Sequence, residues 1–143
     1  MRSGEEEVLQ LFVEESREHL ETIEEDFLAI EQAGENYSQE LVNKTFRAIH
    51  TIKGGASLFS FRSISSLSHE MENVLGKIRE KELFPKPEII SVLLDSADTL
   101  KSMINNLDQA DNKDVSSFIS RLKSFQCENV KKDTVPDMQD ISG

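Results

Sequence analysis

Apolar residues recur every three or four positions along most of the chain, and the places where that rhythm breaks carry helix-stopping residues. A period of 3.6 residues puts such positions on one stripe of a helix, whereas a half-buried strand needs strict alternation, which no segment shows. The first stretch, about 5–32, aligns Val8, Phe12, Leu20, Ile23, Phe27 and Ile30 and stops at Ala33-Gly34. The second opens near Ser38, an N-cap with Glu40 close behind, and runs to about Leu58. The third follows Phe61, spaces Ile64, Leu67, Met71, Val74 and Ile78 by three, four, three and four, and ends before Pro85. Pro85-Lys86-Pro87-Glu88 opens the fourth, since proline suits a first turn whose N–H has no helical partner. Its buried side is Ile89, Val92, Leu93, Ala97, Leu100, Ile104 and Leu107. Asp108-Gln109-Ala110-Asp111-Asn112 breaks the pattern, and a shorter fifth helix, about 114–125, offers Val115, Phe118, Ile119 and Leu122.

Four long amphipathic helices with short links predict an all-α, up-down-up-down four-helix bundle, with the fifth, shorter C-terminal helix against one side or end. A chain of 143 residues, 37% of them apolar, suffices for one compact core and not for two sizeable domains. The bundle is expected over residues 1–127. Residues 128–143 lose periodicity and apolar density and read as a mobile tail or the start of an interdomain linker. No segment approaches the roughly 20 apolar residues of a membrane span. The N-terminus, Met1 to Glu7, lacks the apolar stretch of a secretory signal. The single cysteine, Cys127, forms no internal disulfide, and together these features lead to the expectation of a cytoplasmic location.

The net charge of -11 argues against general nucleic-acid affinity, and its distribution is more informative than its size. Residues 1–32 hold eleven acids against Arg2 and Arg17, so the remainder of the chain is close to neutral. Between Glu40 and Glu70 there is no acid, while Lys44, Arg47, Lys53 and Arg62 are all present. This basic strip on an acidic protein favours an incoming phosphate and a partner whose own site is acidic, with Lys44, Arg47 and Arg62 as its partner-binding residues.

His50 lies within that strip. Leu41, Thr45, Ala48 and Ile52 form the apolar line of its helix, and His50 falls about 200° from Ala48, so it faces solvent. Gly54 and Gly55 follow one turn later, each costing the helix roughly 1 kcal/mol relative to alanine. They read as clearance for a phosphoryl group and a docking partner. If the second and third helices form an antiparallel hairpin reversing near Phe59-Ser60-Phe61, facing residues have numbers that sum to about 120 to 122, which places His69 and Glu72 level with His50. Glu72 is expected at the groove rim, outside the core. A carboxylate there can accept a hydrogen bond from Nδ1–H of His50, fix the tautomer that exposes the Nε2 lone pair, and strengthen Nε2 as a nucleophile. Lys53 can extend its ammonium toward the oxygens of a phosphoryl group on Nε2. His19, beside Leu20 in the acidic first helix, has no motif around it and reads as a surface histidine. The phenylalanines read as core.

The chain contains no Walker-type phosphate loop and no kinase glycine-rich loop, so the histidine must be phosphorylated from outside this segment. No carboxylate cluster for Mg²⁺ and phospho-aspartate chemistry is evident either. The acceptor must therefore be another protein or domain.

The run from Phe46 to Phe61, with His50-Thr51-Ile52-Lys53-Gly54-Gly55 at its centre, resembles the phosphorylation segment of histidine phosphotransfer (HPt) domains, most closely those of the chemotaxis histidine kinases of the CheA type. The run from Leu67 to Leu75 resembles the third-helix segment of the same family. The resemblance covers about residues 5–126. It implies that His50 is the phosphorylated residue, supported by Lys53, His69 and Glu72. It also implies a parent chain whose separate kinase domain binds ATP and Mg²⁺, no cofactor held by this segment, and response-regulator receiver domains as partners, the segment itself being monomeric. One departure is Ser60, where relatives often have glycine.

Other classes have weaker support. A metal-binding bundle could use His50, His69 and Glu72 for Zn²⁺, but it accounts for neither the Lys53 cation nor the paired glycines. A purely interacting bundle leaves the same residues unused. The dimerising hairpin of an ordinary sensor kinase lacks its His-Glu-x-x-x-Pro segment. Within phosphotransfer, a free-standing relay protein is the alternative to a kinase fragment.

Overall fold

The computed structural model describes residues 4–128, which form five α-helices: α1 (Gly4–Ala33), α2 (Gln39–Leu58), α3 (Arg62–Arg79), α4 (Pro87–Ile104) and α5 (Ser116–Glu128). Short 3₁₀ turns at Gly34–Asn36 and Leu107–Asn112 link α1 to α2 and α4 to α5. The tail assigned to 128–143 lies outside the described residues except for Glu128, which closes α5, and so does the Cys127 side chain.

Local chemistry sets each boundary. Gly34 takes a left-handed φ of 59° just past α1, a conformation that glycine adopts without steric cost. Ser38 Oγ accepts from the Leu41 amide at 3.1 Å, as an N-cap should. At the end of α2, Phe61 N–H donates to Ala56 O at 2.9 Å and Ser60 N–H to Ser57 O at 3.1 Å, with Ser60 at φ 64°. That is a Schellman motif with serine in the position glycine usually fills. The same motif ends α3, where Glu82 N–H donates to Lys77 O, Lys81 N–H donates to Ile78 O, and Lys81 has φ 64°. Pro87, not Pro85, is the first residue of α4. Asp114 Oδ1 accepts from both Oγ and N–H of Ser116 at the start of α5, and these bonds hold its carboxyl below the usual range.

Around the bundle α1 lies beside α2 and α4, α3 lies between α2 and α4, and α5 packs on α3 and α4. The expected apolar stripes fill one core, in which Leu20, Phe27, Ile52, Leu67, Met71 and Leu93 are fully buried. Each such side chain contributes roughly 1.5–3 kcal/mol by leaving water. Three positions depart from the periodic reading. Val8 is 49% exposed, because the 30-residue α1 outruns the 20-residue α2 it packs against and its first turns overhang the bundle end. Leu107 lies beyond α4, half-buried in the 3₁₀ turn. Val115 is buried but precedes α5. Among the described residues, no helix is long and apolar enough to cross a membrane.

Candidate functional site

The α2–α3 turn closes so tightly that it leaves little freedom in how the two helices align, and the cross-helix contacts show the result. Ser57 Oγ lies 2.9 Å from Ser65 Oγ, and two turns back along α2 His50 Nδ1 lies 2.5 Å from Glu72 Oε2. Both pairs follow the hairpin register expected from the sequence.

Ile49 and Ile52 drop into the core on either side of His50, which leaves the His50 side chain on the crest of α2, 61% exposed. Glu72 is the reverse case. Its side chain is 11% exposed, deeper than the groove rim expected from the helical wheel. Burial by itself pushes the Glu72 carboxyl up. The hydrogen bonds from Lys53 and His50 and the charges behind them outweigh that push and bring it below its ordinary value. Lys53 Nζ sits 2.7 Å from Glu72 Oε1, so the two oxygens of one carboxylate serve two partners. An ionised Glu72 can only accept, and Nδ1 of His50 must therefore carry the hydrogen. In the neutral ring the Nε2 lone pair is then the free one.

The remaining sequence candidates separate around this pair. Gly54 is exposed, and a Cβ built there would meet nothing within 4 Å. Gly55 answers a different need: a Cβ there would lie 2.4 Å from Phe12 Cδ1, so this glycine lets an α1 aromatic ring seat against α2 and does not face the histidine crest. Lys53 is committed to Glu72 and is not free to point at an incoming group. His69 is exposed and shares a groove with Lys53 and Glu72, but the structure gives it no hydrogen bond to His50 or Glu72. Lys44 pairs with Asp26 of α1 at 3.3 Å, while Arg47 and Arg62 are exposed. His19 is half-buried in the α1–α2 groove beside Lys44 and Arg47. No three His, Cys, Asp or Glu side chains are grouped to hold a metal among the described residues.

Two neighbours of the histidine were not singled out from the sequence. The Phe46 ring lies parallel to the His50 imidazole at 8°, with centroids 6.3 Å apart. The Arg79 guanidinium stands 4.0 Å over the Phe46 ring. The four-residue spacing of Phe46 and His50 is the signal that could have revealed the first contact.

Residues 7–110 match the family model of the Hpt domain. The chain belongs to the histidine phosphotransfer domain family. Among relatives of this Hpt chain, the chemotaxis protein CheA of Treponema pallidum is 33% identical over 125 residues, and that of Bacillus subtilis 33% over 116. These alignments cover 86% and 80% of this chain but only 15% and 17% of those proteins. The chain thus spans a small part of the length of the curated relatives it matches. The solution structure of a CheA histidine phosphotransfer domain superposes with a TM-score of 0.74 at 31% identity, covering 84% of this chain and 92% of that one. The phosphorylated P1 domain of CheA3 from R. sphaeroides, solved in complex with CheY6, gives the same TM-score at 26% identity, over 87% and 98% of the two chains.

Proposed function

We propose that this Hpt domain is the phosphoryl carrier of a CheA-like chemotaxis kinase, accepting phosphate on His50 Nε2 and passing it to an aspartate of a response-regulator receiver. The observation that carries this reading is the exposed His50 ring anchored through Nδ1 to a buried, ionised Glu72. The lone pair of Nε2 attacks the γ-phosphorus of ATP, held with Mg²⁺ by a separate kinase domain. The N–P bond forms, the bond to the β–γ bridging oxygen breaks, and its electron pair leaves with ADP. The ring retains its Nδ1 hydrogen and gains positive charge, which Glu72 offsets at hydrogen-bond distance. The second transfer reverses the roles, with nitrogen as the leaving group and a receiver carboxylate as the nucleophile.

Lys53 keeps Glu72 ionised and acts on the histidine through that carboxylate. Gly54 leaves room for the phosphoryl group, and Arg47 and Arg62 present charge to an acidic receiver site. His69 lines the groove next to this network. The CheA-type relatives favour a kinase fragment over a free-standing relay protein, with residues 1–127 as the carrier bundle, residues 128–143 as the start of a linker and a cytoplasmic setting. Incubation with ATP, Mg²⁺ and a CheA kinase portion tests the assignment. Acid-labile, base-stable label is expected on the wild type and absent from His50→Gln; equal labelling of both rejects it.

A further inference from the structure

Glu72 holds one atom of the His50 ring, and one hydrogen bond leaves the ring free to tilt about it. Most of the imidazole faces solvent, so α2 itself supplies little further restraint. The orientation nonetheless matters, because the Nε2 lone pair lies in the ring plane and must point along the line of the breaking P–O bond.

We propose that Phe46 is a positioning residue that sets the plane of the His50 ring, and that Arg79 fastens Phe46 in place. This rests on His50 being the phosphorylated residue. Phe46 precedes His50 by one helical turn and stacks parallel to it in the offset arrangement that aromatic faces prefer. Behind Phe46 its Cε2 edge lies against α3 at Gly76, where an added Cβ would come within 3.4 Å. Arg79 covers the face of the ring, a cation–π contact at 4.0 Å. Arg79 is itself held at the end of α3: its carbonyl accepts from Gln39 Nε2 across the α2–α3 interface, and its Nε pairs with Glu80 Oε2 at 3.4 Å. The final turn of α3 is thereby linked through Arg79 and Phe46 to the imidazole. Glu72, from the middle of α3, fixes the same ring at Nδ1. Two contacts from two levels of α3, one direct and one through Phe46, define both the position and the plane of the nucleophile.

The test compares wild type, Phe46→Leu, Phe46→Tyr and Arg79→Gln as acceptors of phosphate from ATP, Mg²⁺ and a CheA kinase portion, with His50→Gln as the blank. Phe46→Leu keeps apolar bulk but removes the aromatic face, and a fall in kcat of about ten-fold or more at unchanged KM is expected. Phe46→Tyr restores kcat, and Arg79→Gln lies between wild type and Phe46→Leu. In ¹⁵N and ¹³C NMR spectra of the same proteins, His50 keeps its Nδ1–H tautomer in Phe46→Leu while its ring order parameter drops. That second readout requires no phosphotransfer. Unchanged kcat and ring order in Phe46→Leu overturn the proposal. Equal loss in Phe46→Tyr also overturns it, and so does a rise in KM alone, which would mark Phe46 as a docking contact. Wild type labelled no better than His50→Gln defeats the phosphotransfer reading itself and is told apart by that blank.

Discussion

Lys53 Nζ lies 2.7 Å from the Glu72 oxygen that His50 does not use, so the cation one turn after the histidine acts on it through the carboxylate. Burial disfavours a charge on Glu72, and the hydrogen bonds from Lys53 and His50 reverse the preference. Glu72→Gln keeps the shape but loses the charge, and phosphorylation of His50 should fall about 10–100-fold. Lys53→Met should slow the reaction as well. Because both substitutions disable the same ionised carboxylate, the double variant should be much less impaired than the sum of the two single losses. Initial rates of labelling in a double-mutant cycle measure this directly, and additive losses would show that Lys53 and Glu72 act separately.

The same charge should appear in the pH dependence of stability. Lys53 and His50 hold the folded-state Glu72 carboxyl below its ordinary value, so its ionised form stabilises the fold fully above the ordinary carboxylate range. The contribution is lost as pH falls through the lowered folded value. Urea unfolding of wild type and Glu72→Gln should show wild type more stable at neutral pH by a constant margin down to about the ordinary carboxylate range, with the gap closing in stronger acid. A gap that widened on acidification would reverse the sign of this account.

Adjacent glycines should respond in opposite directions. Gly54→Ala meets nothing within 4 Å and should stabilise α2 by about 1 kcal/mol, while slowing phosphotransfer because the methyl narrows the opening left for a phosphoryl group and its docking partner. Gly55→Ala forces its Cβ into the Phe12 ring, which is already packed against Phe59 and Phe61. A loss of about 1–3 kcal/mol is expected from that overpacking. Urea midpoints and labelling rates of the two variants separate the roles.

Ser60 pays for the sharp α2–α3 turn with a left-handed backbone. Ser60→Gly removes a steric cost of about 1–2 kcal/mol, partly offset by the greater freedom of glycine in the unfolded chain. A net gain of up to about 1 kcal/mol is expected, with labelling rates unchanged, since the turn geometry stays as it is. Chemical denaturation measures the gain.

Much of the fold was legible because its punctuation is local: Ser38 caps α2, Gly34 stops α1 and Pro87 starts α4 within their own few residues. The level of Glu72 with His50 was legible too, since a short turn fixes the register of a hairpin. Contacts between distant segments were not. The ring that claims the space above Gly55 comes from Phe12, on a helix whose rotation no local pattern reports. The stack of Arg79 on Phe46 on His50 depends on side-chain rotamers in α2 and in the last turn of α3, and the outward reach that the sequence suggests for Lys53 is taken up by a partner on the other helix.

The central claim is that Glu72 occupies Nδ1 and leaves Nε2 to react. It is tested most directly by ¹⁵N–³¹P correlation NMR of the protein, labelled in its histidine rings and phosphorylated with ATP, Mg²⁺ and a CheA kinase portion. Phosphorus coupled to Nε2 of His50, with the hydrogen retained on Nδ1, is the expected result. Phosphorus on Nδ1, or on another histidine, would contradict it.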